Sequence, residues 1–234
     1  MKMEKGAVAF LDLLGAKGIW ARTDPDELVE RWESVVASIE GLKARFPGPV
    51  LEVEYQAFSD TIIVTLASDG LAQDALIAVM GMILREPFWK ALKSGFFFRG
   101  VVSYGTFFRS GSLLVGPSID EAAEWYQLAD WSGVCCSPSA GYAIDAMGKK
   151  FDDHTLSTFY VRYDVPTKAG GKFRTFALAW PLEADRTELL CAFSRHPIGA
   201  SAHSKYENTL AFFDYVRSQV QEQSSSSAGK GNSN

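Results

Sequence analysis

In its first hundred or so residues the chain alternates between strand and helix periodicities in the order β-α-β-β-α-β, and no other feature limits the fold as tightly. The opening apolar run, Ala7 to Leu14, is bounded by glycine and has the length of a strand buried on both faces. Asp24 then reads as an N-cap, with Pro25 at the first helical position and Glu27 completing a capping-box pattern. Leu28, Trp32, Val35, Val36, Ile39 and Leu42 recur at helical spacing until Phe46-Pro47-Gly48-Pro49 ends the helix. The segments LEVEYQA and TIIVTLA, joined through Phe58-Ser59-Asp60, predict a hairpin. A second helix is expected over 71–93, with Leu71, Leu76, Val79, Met80, Ile83 and Leu84 inward and Gly95 as its stop, and FFFRGVVSYG is a strong strand.

Further on, the pattern predicts an antiparallel return through GSLLVG and a third helix from Pro117 through DEAAEWYQLAD. A short strand at GVCCS and a small helix over 140–147 follow. Strands FYVRYDV and FRTFALAW flank a Lys-Ala-Gly-Gly-Lys turn, and a last amphipathic helix carries Tyr206, Leu210, Phe213 and Val220. This is the ferredoxin-like, split-βαβ arrangement: an α+β (α/β sandwich) fold with a βαββαβ antiparallel sheet covered by helices. At 234 residues one domain with an extension is expected. The boundaries are a core domain over 1–184, a helical extension over 185–221 and a disordered, low-complexity tail over 222–234.

A formal net charge of -5 provides no global positive field, so nucleic-acid binding is not expected and any phosphate must be held locally. Cys135, Cys136 and Cys191 form neither a disulfide framework nor a zinc knuckle. The N-terminal apolar run is too short for a signal peptide or a membrane span, and a reducing cytoplasm is the expected location.

Two aspartates carry the chemistry. Asp12 interrupts a buried strand, where an unpaired carboxylate costs several kcal/mol, so a cation, a metal or backbone donors must compensate. Asp60 lies at the hairpin tip, and a sheet that sets the hairpin beside the first strand makes the two carboxylates converge. Such a pair can hold two divalent cations, polarise a phosphate and stabilise a pyrophosphate leaving group. The plainer reading of Asp60 is a turn cap. Arg99, flanked by bulky apolar residues, needs an acid or a phosphate as partner, and pairing with Asp12 or Asp60 is as good a reading as a phosphate role. Glu52 and Glu54 read as the polar face of a strand, and none of His154, His196 and His203 is assigned a catalytic role.

The successive segments FLDLLG, FSDTIIV, FRGVVSYG and VGPSIDEAAEWYQLADWSGVCCS resemble the core motifs of class III nucleotidyl cyclases. The resemblance covers roughly residues 6–181, and the nearest branch is that of the pyrimidine (uridylate or cytidylate) cyclases of bacterial Pycsar anti-phage systems. It implies a catalytic domain over 1–184 and a homodimer with active sites at the subunit interface. It implies two Mg²⁺ or Mn²⁺ ions held by Asp12, Asp60 and the carbonyl of Leu13. The loop from Leu14 and Gly15 to Gly18 would cradle the triphosphate with N–H groups. The implied reaction is attack of the ribose 3′-oxygen on the α-phosphorus with release of pyrophosphate. A phosphate-contacting lysine is implied near the last turn, where Lys172 and Arg174 are the candidates and a solvated turn is the alternative.

Departures from the purine cyclases matter as much. Their base-reading lysine and aspartate fall near Gln56 and Leu113 here, and their third-helix asparagine and arginine fall at Asp120 and Glu124. Tyr55 is then a candidate reader of uracil, with packing against a helix as its alternative. The expectation is a pyrimidine-specific cyclase turning UTP into 3′,5′-cyclic UMP as a messenger in phage defence. Three alternatives stay open: a cytidylate cyclase acting on CTP, an inactive nucleotide-sensing homologue, and a different two-metal enzyme on a palm-like sheet.

Overall fold

The structure, a computed structural model, describes residues 2–15, 19, 23–46, 50–151, 155–195 and 203–230, with backbone alone at 42, 43, 149, 151 and 222–230. Its strands are β1 (Glu4–Leu13), β2 (Glu52–Phe58), β3 (Thr61–Ala67), β4 (Phe98–Ser110), β5 (Leu113–Val115), β6 (Gly133–Cys136), β7 (Tyr160–Pro166) and β8 (Lys172–Leu178). The helices are α1 (Pro25–Lys43), α2 (Gln73–Lys93), α3 (Pro117–Trp125), α4 (Pro138–Asp145), α5 (Arg186–Arg195) and α6 (His203–Lys230). Strand order in the sheet is β2-β3-β1-β4-β6-β8-β7, with β5 paired to β4. Every pairing is antiparallel except β4 with β6. The first four strands therefore have the split-βαβ order expected from the sequence.

Local chemistry explains most element ends. Asp24 Oδ1 accepts from the backbone N–H groups of Asp26 and Glu27, capping α1 as its sequence indicates. The β2–β3 hairpin turns through Ser59 and Asp60, with Ser59 at φ 56°. Gly100 is required where β4 crosses β1: a Cβ there would sit 2.4 Å from the carbonyl oxygen of Phe10.

Registers assign the two faces of the central strands. Asp12 pairs with Thr61 and Arg99, and Phe10 pairs with Ile63 and Val101. Gln56 lies opposite Ile63, and Glu54 opposite Thr65. Because side chains alternate, Asp12, Phe10, Arg99, Ile63, Gln56 and Glu54 share one face, while Leu11, Ile62, Val64, Val53 and Tyr55 share the other. The second face packs on α1 and α2 and forms the core with Ile39, Leu76, Met80 and Ile83, all at most 1% exposed. On the first face α3 covers β1 and β4, where Ser103 Oγ donates to Ser118 O at 2.7 Å and Gly105 leaves room for Ser118. The β2–β3 limb of that face stays open.

Among the described residues the extension holds two helices, α5 and α6. α6 runs backbone-helical to Lys230, past the boundary at 221 and into the stretch expected to be disordered; 231–234 lie outside the described residues. Phe212, Phe213 and Val216 of α6 are buried. Phe212 meets Trp131 edge-on at 4.7 Å and Tyr163 at 4.8 Å, and Tyr206 stacks on Phe193 at 4.0 Å. The third helix ends at Trp125, short of Asp130, because the chain must turn there to enter β6.

Candidate active site

The two aspartates meet at the end of β1. Asp60 immediately precedes Thr61, the register partner of Asp12. The Leu13 N–H donates to the Asp60 carbonyl at 2.8 Å, tying the hairpin tip to β1. Asp12 is only 8% exposed. Burial pushes its carboxyl up from the usual range, the Arg99 hydrogen bond pulls it back, and the charge of Asp60 adds to the upward push. Arg99 is its cross-strand partner: Nε and Nη2 donate to Asp12 Oδ2 at 2.9 and 2.7 Å. The Arg99 guanidinium also lies 5.8 Å from the Tyr126 ring centre and makes a long 3.5 Å contact to the Gln127 carbonyl. Of the two readings open for Arg99, the structure has the acid as partner.

Asp60 adds a second carboxylate beside the Asp12–Arg99 pair, and Lys168 is the further cation whose charge reaches Asp12. Among the described residues no group of three or more His, Cys, Asp or Glu side chains could hold a metal. That donor set suits Mg²⁺ or Mn²⁺, which keep waters and take one or two carboxylates plus substrate phosphates, and it does not suit a structural metal caged by protein. The residues therefore fit the expected ions, with Leu13 at the junction of the two aspartates.

The remaining candidates separate. The Leu14 N–H donates to Phe97 O at 2.8 Å, so it is spent in the fold and cannot join a triphosphate cradle. Gly15 sits at φ 76° and is exposed, while 16–18 lie outside the described residues. A cavity of about 230 Å³ opens beside Asp60, lined by Leu13, Ile19, Leu28 and Trp32. Lys172 is exposed at the start of β8, and Arg174 pairs at 3.1 Å with Asp164, its exposed cross-strand partner. The cation of this turn that feels Asp12 and Arg99 is Lys168, which the sequence reading passed over. Its backbone N–H donates to Leu128 O at 3.1 Å, which anchors it beside the site end of the sheet.

A second cavity, about 320 Å³, lies on the open β2–β3 limb of the same face. Its polar lining includes Glu52, Glu54, Gln56 and Arg109. Arg109 clamps Glu4, Glu52 and Thr65. Gln56 Nε2 donates to the Gly111 carbonyl at 3.1 Å. A carbonyl can only accept, so this bond fixes the amide nitrogen there and aims the amide oxygen elsewhere. The Tyr55 hydroxyl instead donates to Glu40 of α1, which with burial pushes its pKa up to about 12. Tyr55 thus packs toward a helix, the alternative reading for it, on the face opposite Gln56. Strand alternation carried the signal: Val53 and Tyr55 share the apolar parity of β2, and Glu52, Glu54 and Gln56 the polar one. Asp120 and Glu124 are exposed on α3, and His203 pairs with Glu207; His154 and His196 lie outside the described residues.

The solved structures that the chain matches include nucleotidyl cyclase domains. The chain matches the catalytic core of a rhodopsin-guanylyl cyclase with converted specificity in complex with ATPαS (TM-score 0.53, 17% identity, 76% of this chain and 97% of that one). It matches the guanylate cyclase domain from Catenaria anguillulae in complex with GTP (0.53, 14%, 76% and 98%). It also matches a bacterial light-regulated adenylyl cyclase (0.54, 8%, 84% and 100%). The chain has the class III cyclase catalytic-domain fold, and at these identities the likeness is one of fold. Comparison with protein-family models and with curated protein sequences finds no match. No helix among the described residues is long and apolar enough to cross a membrane.

Proposed function

We propose that this protein is a pyrimidine nucleotidyl cyclase that converts UTP to 3′,5′-cyclic UMP and pyrophosphate. The observation that carries the reading is the junction of Asp12 and Asp60 at one end of the sheet, on a face that also bears a polar cavity. Asp12, Asp60 and the Leu13 carbonyl would hold two Mg²⁺ or Mn²⁺ ions, which neutralise the triphosphate and activate the ribose 3′-hydroxyl when bound. The bond from the 3′-oxygen to the α-phosphorus forms as the bond from the α-phosphorus to the bridging oxygen of pyrophosphate breaks, and the hydroxyl proton passes to solvent. Arg99, relieved of Asp12 once that carboxylate has another cation, would turn to the phosphates in place of the third-helix arginine of the purine cyclases, whose position Glu124 occupies here. Lys168 would bind the leaving pyrophosphate.

Gln56 is the base reader in this account. With its nitrogen committed to Gly111, its oxygen accepts. That suits the N3–H of uracil and opposes the N3 lone pair of cytosine, which favours UTP over CTP. A homodimer, with active sites at the subunit interface, is supported by the exposed apolar residues Phe58 (85%), Leu113 (51%) and Val115 (46%), and leaves Lys172 available to the site of a second copy. A role in phage defence follows from the sequence resemblance alone.

The reading is tested by binding. A 3′-deoxy-UTP probe, which lacks the attacking hydroxyl, should bind in Mn²⁺ and bind at least tenfold more weakly to Asp60→Ala. Equal binding by both proteins, or none by either, overturns it. A silent sensor is the second reading, favoured by the acids at Asp120 and Glu124; it predicts binding without turnover.

A further inference from the structure

The segment 127–132, between α3 and β6, links the C-terminal helix to the site. On one side the Gln127 carbonyl meets Arg99, the Leu128 carbonyl accepts from Lys168 N–H, and Ser132 Oγ donates to Phe98 O at 2.9 Å. On the other side α6 grips the same segment. Lys205 Nζ lies 2.9 Å from Asp130 Oδ1, Asn208 Nδ2 donates to Asp130 O at 2.7 Å, and the Ser132 N–H donates to Thr209 Oγ1 at 2.8 Å.

Asp130 sits between two lysines. Ala129 bridges to Thr167 in antiparallel fashion, and Asp130 N–H donates to Pro166 O at 2.9 Å. Lys168 faces Leu128 and Asp130 faces Pro166, so Lys168 and Asp130 are diagonal neighbours on one side of the bridge. Such positions are about 7–8 Å apart, within reach of a lysine. The Asp130 side chain is 14% exposed, and Lys205 already occupies it. Lys168 is exposed, and its ammonium feels the charges of both Asp12 and Asp130.

We propose that Lys205 is a positioning residue: by pairing with Asp130 it prevents that carboxylate from capturing Lys168, so the C-terminal helix holds a phosphate-binding lysine ready beside Asp12. The inference rests on the proposed cyclase reading for the phosphate role of Lys168. The capture itself does not depend on that reading. Without Lys205 the Asp130 carboxylate would keep only neutral partners, Asn208 Nδ2 at 3.4 Å and Ser204. Arg99 and Asp12 pair with each other, so among the charges acting on Asp130 Lys168 is the cation left to answer it.

Three full-length proteins decide it: Lys205→Met, Asp130→Asn/Lys205→Met, and wild type. In a crystal structure of Lys205→Met, Lys168 Nζ is expected within hydrogen-bond distance of Asp130. In assays with UTP and Mn²⁺, Lys205→Met should raise KM about tenfold, as for a lost charged contact, with a smaller change in kcat. The double variant, which has no acid left to capture Lys168, should return KM to within about twofold of wild type. Lys168 unmoved in the Lys205→Met structure overturns the inference, as does a double variant as impaired as the single one, which would make Lys205 a brace only. If wild type turns over no nucleotide, the cyclase reading falls, and the crystal structure still decides the capture.

Discussion

Replacing Arg99 by Met isolates the central electrostatic relation of the site. Arg99 and Asp12 are buried to similar depth, their side chains 13% and 12% exposed, and two N–H groups of one converge on a single oxygen of the other. Removing one partner of such a pair strands the other charge in a poorly solvated place and costs about 3–5 kcal/mol. The 12–13% of each side chain that water still reaches, together with the upward push of burial on the Asp12 carboxyl, argues for the lower end of that range. About 3 kcal/mol corresponds to roughly 6–12 °C in Tm for a chain of this size. The account adds a second expectation: with Arg99 gone, Asp12 and Asp60 face each other without their hydrogen-bonded counter-cation and with only the more distant charge of Lys168 acting on Asp12, so Mn²⁺ should restore stability to the variant more than it stabilises wild type. At a hundredfold excess over its Kd the ion contributes about 2.7 kcal/mol. Thermal unfolding of both proteins in EDTA and in millimolar Mn²⁺ measures both effects. An Arg99→Met variant within about 1 kcal/mol of wild type in EDTA, or one indifferent to Mn²⁺, refutes the reasoning.

Other consequences are independent of that pair. Gly100→Ala should destabilise the protein by about 3 kcal/mol in urea unfolding, because the new Cβ meets backbone, at 2.4 Å from Phe10 O, which cannot swing aside. Of the cysteines, Cys191 is exposed, whereas Cys135 and Cys136 are buried and burial pushes the Cys135 thiol up to about 12. A thiol reagent at pH 8 should therefore modify one group per native chain and three after denaturation. The raised pKa of Asp12 predicts that Mn²⁺ affinity declines on acidification at a higher pH than an ordinary aspartate would dictate, since the metal needs the carboxylate. In metal-free buffer the sign for stability is opposite to that of a paired surface aspartate. The folded state binds the proton more tightly, so the contribution of Asp12 is full below its unfolded pKa and is lost as pH rises through the folded one. Titrations of Mn²⁺ binding and of Tm between about pH 4 and 8 check both directions.

Much of this was written locally in the chain. An aspartate inside AVAFLDLL and another at the tip of a hairpin are visible without coordinates, and the β-α-β-β-α-β order is enough to bring them together. Parity along β2 would also have turned Tyr55 away from the open face, had the apolar set Val53 and Tyr55 been weighed against the polar set around it. The convergence of Lys168, Asp130 and Lys205 could not be read. It depends on a loop before β6, a hairpin turn and a C-terminal helix whose mutual docking is decided by Trp131, Tyr163 and Phe212, residues that look like ordinary core in sequence. Arg99 was legible as a cation needing a partner, but the choice of Asp12 over Asp60 comes from β1–β4 register, which periodicity does not specify.

Turnover tests the central claim most directly. Purified protein would be incubated with Mn²⁺ and, separately, with UTP, CTP, GTP and ATP, products would be identified by mass spectrometry, and Asp60→Ala would serve as control. The account predicts 3′,5′-cyclic UMP and pyrophosphate from UTP, little product from the other three, and none from the variant. A cyclic purine nucleotide as the main product, equal turnover by Asp60→Ala, or no product from any of the four would contradict it.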